Sequence, residues 1–169
     1  MNLDVYVAQM AANAHTIRQI IAGVSAEQAR WKPDAESWSI LEVINHLDDE
    51  ERLDFRVRLD YILHKPGEDP PQIDPAGWVT ARRYNERDLQ ESVDNFTQAR
   101  EESLMWLKSL GTPDWDATYV ASWGSISAGD MFAAWVAHDL LHLRQLVELH
   151  YAWTTRQVAP YSVKYAGEW

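Results

Sequence analysis

Residues 39–47, Ser39-Ile40-Leu41-Glu42-Val43-Ile44-Asn45-His46-Leu47, combine a helix start with the beginning of an apolar stripe. Ser39 and Glu42 have the spacing of a capping box, in which hydroxyl and carboxylate each satisfy an amide left orphaned at a helix N-terminus. Ile40, Val43, Ile44, Leu47, Val57 and Tyr61 recur at helical spacing until Pro66-Gly67 stops the run. Upstream, Leu3, Tyr6, Met10, Ala14, Ile17, Ile21 and Val24 form a single stripe, with Gly23 near its end. Downstream, Leu89, Phe96, Ser103 and Leu107 share one face of a third helix predicted from about Ala81 to Leu110, closed by Gly111-Thr112-Pro113, and Arg100 projects near that face. A second capping box, Ser127-Ala128-Gly129-Asp130, opens a fourth helix predicted to reach about Ala152.

Alternating β-branched runs are missing, so the expected class is all-α, a four-helix bundle. At 169 residues the chain is expected to form a single domain over 1–169. Between Lys65 and Thr80 stand Pro66, Pro70, Pro71 and Pro75 with Gly67 and Gly77, too many breakers for regular structure. This and the other two connections, each of about 15 residues, leave room for a crossover.

Composition narrows the function. A net charge of -11 disfavours nucleic acid, whose phosphates the chain would repel. With no cysteine, a disulfide, a thiolate metal site and a Cys nucleophile are all excluded, so any metal must sit on His, Asp or Glu. No basic region precedes an apolar stretch at the start, and no run approaches 18 apolar residues, so a cytoplasmic protein without a membrane partner is expected.

Of the six histidines, His15, His64 and His150 fall away from the apolar faces and are expected at the surface. His138 and His142 are four apart on one face of the fourth helix, beside Met131, Trp135, Gln145 and Leu149. An i, i+4 pair can clamp one divalent ion, although two buried imidazoles are equally served by backbone or Tyr hydroxyl groups. His46, at the edge of the second helix's stripe, could join them if the two helices lie side by side. Three neutral imidazoles with one open coordination position form the arrangement of catalytic zinc sites, where bound water ionises near neutral pH. Glu50, one turn beyond His46, is a candidate catalytic residue: a general base, a fourth ligand, a hydrogen-bond partner for an imidazole, or simply a solvated carboxylate.

Two blocks resemble the DinB-like (YfiT-like) family. The first is Trp31-Lys32-Pro33 followed by Ser37-Trp38-Ser39-Ile40-Leu41-Glu42-Val43-Ile44-Asn45-His46-Leu47, and the second is His138-Asp139-Leu140-Leu141-His142-Leu143-Arg144-Gln145-Leu146. The likeness spans nearly the whole chain. It implies a four-helix bundle with a long crossover between the second and third helices, commonly dimeric, with a divalent metal on His46, His138 and His142. It also implies a metal-dependent enzyme: some members of the family transfer low-molecular-weight thiols or isomerise thiol adducts, some are described as hydrolases, and many have no known reaction. The family name refers to induction by DNA damage, not to DNA binding.

The leading expectation is that zinc or nickel on these histidines activates water or a small thiol toward a small-molecule substrate. The alternative is a non-catalytic, stress-related dimeric bundle with a structural metal or none. The fourth helix is apolar on its far side too, at Phe132, Val136, Leu140, Leu143 and Val147, which calls for cover by a second subunit in a homodimer or by the Trp-rich tail. Trp31, Trp38, Trp78, Trp115, Trp123 and Trp169 read as loop anchors or as walls of a pocket above the metal. Arg100 is expected to pair with Asp54 or Glu50, and Lys65–Thr80 to border the metal and set substrate choice.

Overall fold

The computed structural model describes residues 1–121 and 124–167, so Trp123 and Trp169 lie outside the described residues. Its long helices are α1 (Leu3–Ile21), a second helical run, α6 (Leu89–Ser109) and α7 (Ala128–Gln157). The second run is made of α3 (Ile40–Asp49), a π-helical turn (Glu50–Phe55) and α4 (Arg56–His64). Both capping boxes form: the Ser39 hydroxyl accepts from the Glu42 amide at 3.1 Å while the Glu42 carboxylate accepts from the Ser39 amide at 2.8 Å, and Ser127 and Asp130 repeat the arrangement.

Side-chain pairs give the helix directions. Asn45 meets Ser92, Glu51 meets Arg100 and Arg56 meets Glu102, so the second run and α6 are parallel. His46 meets His142 whereas Phe55 meets Trp135, so the second run and α7 are antiparallel. Two parallel helices need a connection that returns the length of the bundle, and the segment between His64 and Leu89 supplies this crossover. The interior has two apolar clusters, one around Phe132, Trp135 and Leu59, the other around Ile44, Phe96 and Leu146. Among the described residues, no helix is long and apolar enough to cross a membrane.

Several local expectations change. The third long helix begins at Leu89, not Ala81, because Asp88 caps it by accepting from the Glu91 amide. Residues before it form their own short helix, α5 (Pro75–Ala81), with Asp74 as cap and Pro75 in the first turn; Arg83, at φ 51°, then breaks the path. The crossover is therefore not devoid of regular structure. Another short helix, α2 (Ala26–Arg30), fills the first connection, and α7 runs five residues beyond Ala152. A small antiparallel hairpin, β1 (Thr118–Ala121) with β2 (Gly124–Ser127), precedes α7. Strands of four residues are too short to display an alternating pattern.

On the outer face of α7, Phe132 and Val136 are buried by the bundle, but Leu140 and Leu141 are 49% and 57% exposed and Val147 is 38% exposed. The described part of the C-terminal tail does not provide their cover, and Tyr161 and Tyr165 in it are themselves exposed.

Ser39 is buried and also donates to Asn85, so Ser39→Ala removes two hydrogen bonds and orphans the Glu42 amide. The substitution should cost about 1–2 kcal/mol in urea unfolding. An unchanged midpoint would contradict the capping role.

Candidate metal centre

Helix α3 brings His46, and α7 brings His138 and His142, to one point inside the bundle. His138 Nε2 lies 3.4 Å from His46 Nε2 and 3.1 Å from His142 Nε2, and one ligand atom from each of the three falls within 4.8 Å of the others. His46 and His142 are buried and His138 is partly buried. Phe55 packs 4.9 Å from the His138 ring, and Trp38 lies 4.8 Å from the His46 ring and parallel to that of His142.

Burial, reinforced by the neighbouring imidazoles, pushes the His46 pKa down to about 3. Burial likewise takes His138 to about 3 and lowers His142. All three rings are thus neutral near pH 7, the form in which a ring nitrogen offers a lone pair. His142 Nδ1 is 2.8 Å from Gln145 Oε1; an amide oxygen only accepts, so the proton is on Nδ1 and the Nε2 lone pair faces the cluster. Since His138 Nε2 touches two neighbours and a neutral ring has only one N–H, the three nitrogens cannot satisfy one another. A divalent cation would satisfy all of them, so the donor set fits such an ion.

Glu50 stands on the other side of His46. Its Oε1 is 3.9 Å from His46 Nδ1, and both atoms are buried without a hydrogen-bond partner. Burial and the nearby Asp54 push its carboxyl up to about 8.

Among known proteins, the model of the DinB superfamily matches residues 9–146. The chain belongs to the DinB superfamily. A solved structure, YfiT from Bacillus subtilis, superimposes with a TM-score of 0.77 at 15% identity, covering 92% of this chain and 86% of that one. It is described as a probable metal-dependent hydrolase with an unusual four-helix bundle topology. A search of curated proteins gives no match.

This DinB-superfamily bundle departs from the sequence expectations around the histidines. A cleft of about 690 Å³ opens beside His142, lined by Pro33, Glu36, Ser37, Trp38, Gln145, Glu148, Leu149, Tyr151 and Ala152, with no residue from Lys65–Thr80. That segment is engaged elsewhere: Asp69 accepts from the Tyr119 hydroxyl at 2.6 Å, and Trp78 stacks under Arg82, which reaches Asp49. Trp38 is a wall of the site, whereas Trp115 stacks on Phe132 as an anchor and Trp31 packs on Trp153.

Arg100 pairs with Glu51 and Asp139, not with Asp54 or Glu50; Asp54 is bound to Arg58. Glu50 and Glu51 are both buried in the π-helical turn, and it is Glu51 that reaches Arg100. His15 and His64 are exposed as expected, but His150 is half-buried, hydrogen-bonded to Gln28 and lowered in pKa by burial. The sequence reading missed Glu51, Asp139 and Asn13; the available signal was an acid directly following a clustered histidine.

The low imidazole pKa values have a consequence for stability. Unfolding returns these groups to a value near 6.5, so acid favours the unfolded chain. Their contribution is complete above pH 6.5 and is lost as pH falls toward 3. In metal-free protein His46 and His138 should each cost on the order of 2 kcal/mol of unfolding free energy between pH 7.5 and 5, opposed by Glu50, whose raised carboxyl gains stability over the same interval, so His138→Gln should lose about 2 kcal/mol less than the wild type. Urea unfolding at the two pH values checks this, and equal loss in both proteins would contradict it.

Proposed function

We propose that this protein is a metal-dependent hydrolase of a small molecule, with one divalent ion, zinc or nickel, held by His46, His138 and His142. The observation that carries the reading is the convergence of three neutral imidazole nitrogens beside an open cleft. When bound, the ion would supply Lewis acidity that makes water, or a small thiol, a competent nucleophile at neutral pH. The likeness to YfiT, described as a probable metal-dependent hydrolase, supports water as the first choice.

The chain's own residues prepare the site. Gln145 holds the His142 proton on Nδ1 and so fixes which nitrogen faces inward. Glu50 stands behind His46, its carboxyl 3.9 Å from Nδ1. That position, behind the ring, also argues against Glu50 as a fourth ligand, and a three-ligand set is characteristic of catalytic and not of structural zinc. Trp38 and Phe55 shield the imidazoles from bulk water. The cleft volume is in the range that takes small molecules. Exposed Leu140, Leu141 and Val147 support a homodimer in which the outer face of α7 is covered.

Elemental analysis of untagged protein purified without added metal should find about one divalent ion per chain. His46→Ala and His142→Ala should lose it, together with metal-dependent hydrolysis in a panel of ester, amide and lactone substrates. Wild-type protein that stays metal-free after zinc titration would overturn the reading. Metal-dependent turnover only of thiol adducts would replace hydrolysis with thiol transfer.

A further inference from the structure

Beside the triad lies a buried ionic cluster that the proposed chemistry does not use. All five N–H groups of Arg100 are engaged. Nε and Nη2 donate to Glu51 Oε1 at 2.8 and 2.5 Å, Nη1 and Nη2 donate to Asp139 at 2.7 Å each, and Nη1 also reaches the Met10 carbonyl at 3.1 Å. Trp135 Nε1 adds a third bond to Glu51 Oε1, and Asn13 donates to Asp139 Oδ2.

Both carboxyls therefore act as acceptors, the behaviour of ionised groups. A proton on Glu51 Oε2 would find no acceptor, because that atom is buried without a partner. One guanidinium thus faces two carboxylates, which leaves a surplus negative charge in a region where Arg100, Glu51 and Asp139 are at most 2% exposed. Uncompensated charge in such a place is costly to a fold.

The surplus lies next to the histidines. Asp139 directly follows His138, and Phe55 packs both on His138 and on Trp135, the donor to Glu51.

We propose that the surplus charge of the Arg100–Glu51–Asp139 cluster is the counter-charge for a divalent cation at His46, His138 and His142. This rests on the metal reading above. Glu51 and Asp139 are then positioning residues that hold the centre electrostatically ready, at the expense of the metal-free fold. Three neutral imidazoles carry no charge of their own, and the cluster supplies what they lack.

The test separates charge from shape. Glu51→Gln keeps the shape and removes the charge, whereas Glu51→Asp keeps the charge and shortens the side chain. Zinc affinity is measured at pH 7.5 by competition with a chromophoric chelator, and the metal-free proteins are unfolded in urea. Glu51→Gln should bind zinc at least about tenfold more weakly, with an unfolding midpoint equal to or above that of the wild type. Glu51→Asp should stay closer to wild type in zinc affinity than Glu51→Gln does.

Wild-type affinity in Glu51→Gln would overturn the proposal and leave the metal reading intact. So would a Glu51→Gln protein that is destabilised or unfolded without metal, or a Glu51→Asp that binds more weakly than Glu51→Gln; each would make the cluster purely structural. Failure of the wild type to bind zinc would overturn the metal reading itself, and this proposal with it.

Discussion

A single guanidinium meets all four long helical segments. Arg100 extends from α6 and binds the Met10 carbonyl of α1, Glu51 in the π-helical turn of the second run, and Asp139 of α7. Because its donors form a rigid planar fork, the partners must keep both distance and orientation. Removing Arg100 itself would leave two buried carboxylates unpaired, which typically costs about 3–5 kcal/mol. The second run and α7, which carry the histidines, are tied together by this residue alongside the direct Trp135–Glu51 hydrogen bond.

The π-helical turn is the second constraint. Where α3 passes into this turn the chain places Asp48, Asp49, Glu50 and Glu51 in the interior, a run that in most proteins would be a solvated face. Each acid has a particular neighbour. Asp48 and Asp49 take Arg52, Asp49 also takes Arg82 and the Tyr84 hydroxyl, Glu50 stands behind His46, and Glu51 takes Arg100. The crossover segment thereby contributes to the site from a distance, through Arg82 and Tyr84, and not by lining the cleft.

Much of this was legible in the residues. The stripes and the Ser39 and Ser127 capping boxes report local physics, a 3.6-residue period and unsatisfied amides, and they carried the all-α class and the start of each histidine-bearing helix. The i, i+4 spacing of His138 and His142 made their shared face visible, and the place of His46 at the edge of the second stripe made it a third candidate, in agreement with the resemblance. What failed was non-local or aperiodic. Nothing in the order of acids 48–51 says that they are buried, since Arg82 and Arg100, which hold Asp49 and Glu51, lie more than thirty residues away. A uniform 100° per residue also cannot show the π-helical turn that carries Glu51. The helix at Pro75–Ala81 was hidden by its prolines, though Asp74-Pro75 is a favourable helix start.

The central claim is that three imidazole nitrogens, and no fourth protein group, hold one divalent ion. X-ray absorption at the zinc edge, on protein carrying one equivalent of zinc, measures the ligand set directly. The account predicts three imidazole nitrogens at about 2.0–2.1 Å together with one light non-protein ligand. A spectrum requiring fewer than three imidazoles, or a fourth protein ligand that disappears in Glu50→Gln, would contradict it.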